Sequence, residues 1–154
     1  VATEGFAINS KKVIMLDFLR SRKSLLQQRH NLHHEIYHAL FSFAENRNTD
    51  WEALNKNGFR YGRQDRGENA MESQNLDQPR PGFVTNYAMS SAEEDKAEVF
   101  GCLMMPSQHK LIRRWTVKDA ILQKKMTYIK QQLLSFCGAM NEGYWARLLG
   151  ESLH

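Results

Sequence analysis

The chain has 154 residues, of which 42% are hydrophobic and 25% charged, and its formal net charge is +4. These values predict one soluble globular domain with a buried core and exclude an intrinsically disordered chain. No apolar run approaches the roughly 20 residues of a membrane-spanning helix. No basic run is interleaved with aromatic residues, so we expect no nucleic-acid binding.

The cysteines and the first residue of the chain bear on disulfide bonds and on processing. The two cysteines, Cys102 and Cys137, match neither a disulfide framework nor zinc-thiolate spacing. The chain opens on Val1, not Met, so we expect a single domain over 1–154 that is excised or processed from a longer chain. We favour a secreted or effector-like protein over a cytoplasmic one, and the oligomeric state stays open.

The first third of the chain predicts a strand followed by a helix. KKVIMLDFL (11–19) is rich in β-branched and aromatic residues, which predicts a short strand. Residues from about 21 to 45 have helical spacing, at about 100° per residue. The apolar residues on one side of this helix predict its core face: Leu25, Leu32, Ile36, Leu40 and Phe43.

The rest of the chain predicts a helix-dominated α+β domain with at most a small sheet. Residues 46–82 lack periodicity and predict a loop or short elements, anchored by a few aromatic residues: Trp51, Phe59 and Tyr61. FVTNYAM (83–89) predicts an extended segment. Helices are predicted within 90–106, over 107–136 and in NEGYWARLL (141–149).

The first helix contains H-E-x-x-H, as HEIYH from His34 to His38. Two histidines four residues apart on one helical face can share a zinc ion at about 2.0–2.1 Å each. Glu35 can then take a proton from a metal-activated water instead of ligating the metal. The alternative is a chance match in a histidine-rich helix, and the predicted core face on the opposite side favours the metal interpretation.

Three other residues of this helix are expected to have other roles: His30, His33 and Tyr37. His33 is expected to be partly exposed or to contact a ligand, and Tyr37 is expected to pack. His30 lies one turn before His34, nearer the metal side. Two-histidine catalytic sites usually finish with a carboxylate or a more distant histidine, so we do not expect His30 to be a ligand.

A second helix must supply the third ligand, because the residues after His38 lack the glycine and histidine of the metzincin continuation. SSAEEDKAEVFGCLMMP is predicted to begin a helix at Ser90 or Ser91 and to stop it at Pro106. Its Glu94 and Glu98 are one turn apart on one face. One carboxylate can bind zinc while the other accepts a hydrogen bond from a ligating histidine.

The same face carries Gly101, whose missing side chain permits close approach of the histidine helix. The alternative is a solvated acidic helix N-terminus, which explains Glu93 and Asp95 but not the apolar surroundings of Glu98. Both serines match a capping box. If Glu94 binds zinc, we expect the cap to be Ser90 with Glu93.

HEIYH followed by YAMSSAEEDKAEVF (87–100) resembles the gluzincin metallopeptidases, especially the branch that includes the anthrax lethal factor protease domain. EDKAEVFGCLMMP also resembles the ImmA/IrrE regulatory proteases, although Glu98 stands where those proteins usually have asparagine. The match runs from about His34 to Phe100, less than half of the chain. It implies a zincin-like fold with an active-site helix and a second, ligand-bearing helix.

The resemblance also assigns the ligands. It implies that His34, His38 and Glu94 hold Zn²⁺ and that Glu98 orients a zinc-bound histidine, His34 by likeness to thermolysin-like sites. Tyr87, seven residues before Glu94, corresponds to a tyrosine that stabilises the oxyanion.

The expected function is therefore a zinc-dependent endopeptidase with Glu35 as general base and a protein or peptide as substrate. One alternative is an inactive relative, which predicts the loss of Glu35 or of a ligand. Another is a basic partner-binding module that uses residues 107–136 as its interaction helix. The near-helical apolar spacing of that segment favours core packing instead.

Overall fold

The structure, a computed structural model, describes residues 5–8, 13–16, 24–41, 48–62 and 75–151. Strands β1 (Gly5–Ile8) and β2 (Val13–Leu16) form an antiparallel pair in which Gly5 lies opposite Leu16. The strand predicted within KKVIMLDFL is therefore confirmed as β2. The sheet has two strands in the described part of the chain and lies beside the first helix.

Helices make up most of the described residues, so the helix-dominated fold is confirmed. They are α1 (Leu25–Phe41), α2 (Asn48–Glu52), a 3₁₀ helix (Tyr87–Met89), α3 (Ala92–Met104), α4 (Pro106–Trp115), α5 (Ala120–Phe136) and α6 (Glu142–Leu149). Among these described helices, none is long and apolar enough to cross a membrane. Residues 42–45 of the first predicted helix lie outside the described residues.

Helix α3 forms the centre of the fold. Ten of its 13 residues are buried, as expected of a helix that is covered on every side. Helices α1, α4 and α5 pack against it. The buried apolar residues of α5 are Leu122, Ile129 and Leu133, with Met126 beside them. Leu122, Ile129 and Leu133 were predicted to pack and not to bind a partner, and they are confirmed as core. The other residues predicted for this apolar stripe are half-buried: Leu111, Trp115 and Ile121.

The buried face of α1 differs from the prediction. Leu25 is 64% exposed and Leu40 is 39% exposed, while Leu32 and Ile36 are half-buried; Phe43 lies outside the described residues. The buried residues of α1 are His30, His34, Tyr37, Ala39 and Phe41. The histidine face therefore packs against α3, because that helix supplies hydrogen-bond partners for the ring nitrogens.

The segment predicted to be extended, 83–89, instead ends in the 3₁₀ helix. Local side-chain hydrogen bonds close this turn. The Ala88 amide donates to Thr85 Oγ1 at 3.1 Å, and Ser90 Oγ donates to the Tyr87 carbonyl at 2.7 Å. Such bonds offer the backbone an alternative to an extended strand.

One helix boundary and one helix cap also differ from the prediction. The continuous helix over 107–136 is divided, because Asp119 caps α5 by accepting from the backbone amides of Ile121 and Leu122. Ser91, not Ser90, caps α3 and accepts from the Glu94 amide at 3.2 Å. The cap uses only the backbone of Glu94, so the carboxylate stays available for other contacts.

Candidate metal centre

Three ligand atoms converge where α1 and α3 cross. His34 Nε2 lies 3.1 Å from His38 Nε2 and 2.8 Å from Glu94 Oε2, and His38 Nε2 lies 3.3 Å from the same oxygen. Tetrahedral zinc with bonds of about 2.0–2.1 Å requires donor atoms about 3.3 Å apart. Two nitrogens and one carboxylate oxygen in this arrangement fit a zinc ion.

The close packing of the two helices depends on Gly101. A Cβ atom at this position would lie 2.8 Å from His30 Cε1, too close for any real contact. The expectation that this glycine permits close approach is confirmed. With α3 this close, the i, i+4 spacing of His34 and His38 brings both rings within reach of Glu94.

The charges at the centre favour the metal-binding form of the carboxylate. Burial opposes ionisation of Glu94, but hydrogen bonds and charge from His34 and His38 lower its pKa to about 2. Burial alone would lower the pKa of His34, whereas its hydrogen bonds to Glu94 and Glu98 raise that pKa to about 9. Glu94 is therefore a carboxylate at neutral pH, as a zinc ligand must be.

Glu98 lies behind the ligand set and is fully buried. Its Oε1 accepts from His34 Nδ1 at 2.8 Å and its Oε2 accepts from Thr85 Oγ1 at 2.8 Å. Burial opposes its ionisation, but His30 and His34 hold the pKa of Glu98 well below its usual range. A carboxylate on Nδ1 turns Nε2 of the same ring toward the other ligands, as metal-binding histidines require.

Glu35 and Tyr87 flank the converging ligands. Burial raises the pKa of Glu35, although the nearby His34 and His38 rings partly offset this effect. The Tyr87 ring centroid lies 5.9 Å from that of His34, and burial together with the Glu94 carboxylate raises the pKa of Tyr87. Five of the six residues predicted for the site thus form one cluster, and Glu35 lies close enough for the charges of His34 and His38 to affect its pKa.

The neighbouring residues of α1 agree with their predicted roles. His33 is half-buried, and its ring meets Phe100 edge-on with centroids 6.4 Å apart. Tyr37 is buried against Phe100 and donates its hydroxyl to Gln132 Oε1 at 2.9 Å. Neither belongs to the converging ligand atoms.

Asp95 was predicted to be solvated, and this prediction is wrong. Its side chain is fully buried, and Oδ2 accepts from Lys125 Nζ at 2.6 Å, Tyr61 Oη at 2.6 Å and Trp51 Nε1 at 2.9 Å. This cluster fixes α3 one residue after Glu94. The anchoring roles predicted for Trp51 and Tyr61 are confirmed, but no local sequence signal identified their partner.

Two further contacts of Glu98 are not predicted by the sequence. Thr85 stands in the segment 83–89 that is predicted to be extended, and nothing in its sequence neighbourhood marks a carboxylate partner. His30, which is not expected to be a zinc ligand, has its Nε2 3.3 Å from Glu98 Oε1. The one available signal was its i, i+4 spacing from His34, which places both rings over the same part of the neighbouring helix.

A helical domain with two histidines and a carboxylate converging between neighbouring helices defines a metallopeptidase-type centre. The chain belongs to the Peptidase_Mx1 family, described as "Putative zinc-binding metallo-peptidase", which matches residues 2–135. Zinc is therefore its metal and a peptide its class of substrate. No curated protein and no solved structure matches the chain significantly.

Proposed function

We propose that this protein is a zinc-dependent endopeptidase of the gluzincin type, formed by one catalytic domain over 1–154. His34, His38 and Glu94 hold the zinc ion, and Glu98 orients His34. The observation that carries the proposal is the convergence of the three ligand atoms, together with the 2.8 Å contact from His34 Nδ1 to Glu98. The lethal factor-like pattern of glutamates four residues apart supports the gluzincin assignment.

Zinc, when bound, supplies a Lewis acid that activates water and polarises the scissile carbonyl. Glu35 acts as the general base that accepts the proton of the attacking water. The same carboxyl group then passes this proton to the leaving amine. Burial supports the role, because it raises the pKa of Glu35 and brings it nearer to the operating pH.

Tyr87 donates a hydrogen bond to the oxyanion that develops on the scissile carbonyl. The phenol is protonated at neutral pH, and burial raises its pKa further, so the hydroxyl is a hydrogen-bond donor. The 3₁₀ helix holds the ring beside His34. Loss of one such donor typically lowers the rate by about 10²–10³.

Zinc content tests the ligand set. Atomic emission on purified protein is expected to find about one zinc per chain in the wild type, as in structural and catalytic zinc sites, and much less in Glu94→Ala. Glu93→Gln is the matched control, since it removes a neighbouring carboxylate that contacts Asn48 instead. Wild-type protein without zinc after reconstitution would overturn the proposed function. Full zinc retention in Glu94→Ala would remove Glu94 from the ligand set.

Peptide-library cleavage tests the chemistry separately. Glu35→Gln is expected to retain zinc and to lose about 10²–10⁴ in rate, the range for a missing general base. Tyr87→Phe is expected to retain zinc and lose activity through the missing donor. Unchanged cleavage by zinc-loaded Glu35→Gln would contradict the assignment of the base.

A further inference from the structure

A chain of buried polar groups runs from the ligand set toward α4. His34 Nδ1 contacts Glu98 Oε1 at 2.8 Å, the same oxygen lies 3.3 Å from His30 Nε2, and His30 Nδ1 lies 2.7 Å from Gln108 Oε1. His30 is 4% exposed and Gln108 is 6% exposed. The contacts therefore join α1, α3 and α4 behind the metal centre, away from solvent.

The direction of these hydrogen bonds follows from the carboxylate. Ionised Glu98 can only accept, so His34 Nδ1 and His30 Nε2 both donate to Oε1 while Thr85 donates to Oε2. A single bond from His34 would leave the carboxylate free to turn. His30 and Thr85 fix it from two sides, which fixes the oxygen that His34 contacts.

His30 itself is held tightly. A Cβ atom on Gly101 would lie 2.8 Å from His30 Cε1 and 3.0 Å from its Nε2, so the ring lies directly against the α3 backbone. Gln108 occupies the opposite nitrogen, Nδ1. The ring therefore has a defined place between α3 and α4, and its Nε2 is aimed at Glu98.

We propose that His30 is a positioning residue of this metal centre, which orients the Glu98 carboxylate and, through it, the zinc ligand His34. The inference rests on the proposed zinc site. His30, His34 and Glu98 also lie close enough to suggest a ligand group of their own. However, His30 contacts the Glu98 oxygen that lies at the Nδ1 edge of His34, whereas His38 and Glu94 lie at the Nε2 edge of that ring.

The test compares zinc affinity, measured by competition with a chromophoric chelator, in three variants and the wild type. His30→Leu is expected to weaken zinc binding about 10-fold, within the range for partners of metal ligands. In His30→Gln the amide nitrogen can take the place of Nε2, so affinity is expected to stay within about threefold of the wild type. His33→Gln, a neighbouring histidine outside the chain of contacts, is the control and is expected to leave affinity unchanged.

A spectroscopic measurement separates positioning from general loss of stability. The visible absorption of the Co²⁺-loaded protein reports ligand geometry, and we expect it to change in His30→Leu but not in His30→Gln or His33→Gln. Gly101→Ala supplies an independent perturbation, since the added methyl displaces the His30 ring without removing it. It is expected to change the spectrum in the same direction.

Each outcome decides a separate point. If the wild type binds zinc and His30→Leu has the same zinc affinity and the same Co²⁺ spectrum, the inference is overturned. The proposed function then still stands. Equal losses of zinc affinity in His30→Leu and His30→Gln overturn the positioning role. Wild type without zinc overturns both. If His30→Leu does not fold, Gln108→Leu replaces it, and unchanged affinity there counts against the inference.

Discussion

Replacing Lys125 by methionine removes the cation from the most deeply buried ion pair that the structure describes. Its Nζ lies 2.6 Å from Asp95 Oδ2 and 2.8 Å from the Gly82 carbonyl, and both charged side chains are fully buried. Methionine keeps most of the apolar stem against Phe83, over which Nζ lies at 3.7 Å. The substitution therefore removes mainly charge and hydrogen bonds.

The expected loss in free energy of unfolding is about 3 kcal/mol, the lower end of the range for breaking a buried pair. The lower end applies because Trp51 and Tyr61 still donate to Asp95 after Lys125 is lost. Asp95→Asn leaves a buried cation and is expected to cost a similar amount. The double variant with both substitutions should lose about 2 kcal/mol less free energy of unfolding than the sum of the two single losses, since neither charge then remains unpaired.

Urea unfolding in the presence of a chelator measures these values without a contribution from zinc. Lys124→Met is the matched control, because this lysine of the same helix is exposed and should change stability by less than about 0.5 kcal/mol. A loss below about 1 kcal/mol in Lys125→Met, or strict additivity in the double variant, would refute the reasoning from a buried pair.

Three further predictions concern acid, backbone and metal. Burial and the charge of Lys130 lower the pKa of His109 from 6.5 to about 4, so the unfolded chain takes up a proton that the fold rejects. The contribution of His109 to stability should therefore fall by up to about 3 kcal/mol from pH 6.5 to pH 4 and stay constant above pH 7. Urea unfolding across pH should show this contribution as the difference between the wild type and His109→Asn. Gly82 has a φ of +89°, and a Cβ atom there would lie 2.5 Å from Ile121 Cγ2. Gly82→Ala should therefore lower the free energy of unfolding by about 2–3 kcal/mol. Gly150 has a φ of +69° but open space around the position of a Cβ atom, so Gly150→Ala should lower the free energy of unfolding by only about 1 kcal/mol. Equal urea midpoints for the Gly82 and Gly150 variants would contradict the steric argument. Zinc at 100 times its Kd should add about 2.7 kcal/mol to the free energy of unfolding, and a chelator should lower the melting temperature accordingly.

The local part of the site could be predicted from sequence because helical spacing determines it. His34 and His38 must share a face once α1 forms, and the same holds for Glu94 and Glu98 on α3. The helix boundaries near Ser91 and Asn141 follow from capping chemistry, which acts within a few residues. These features need no knowledge of the tertiary structure.

The predictions failed where distant partners decide burial. The leucines of α1 suggested a core face, yet the histidine face is buried because Glu98 and Gln108, 64 and 78 residues away, complete its hydrogen bonds. Asp95 appeared solvated because Lys125 lies 30 residues further along the chain. Periodicity measures apolar character alone and cannot show that a polar side chain will meet its partner.

The inverted face of α1 has a consequence for the metal centre. If the ligands lay on a solvent-facing stripe, loop contacts alone would have to fix their rotamers. Instead His34 stands in the interface between α1 and α3, where Glu98 fixes one edge of its ring and the core packs around it. Sites built on packed helices hold their geometry better than sites on loops. Substitutions at exposed Leu25 should therefore leave zinc binding unchanged, whereas a one-methyl change at Gly101 should reach the metal through His30.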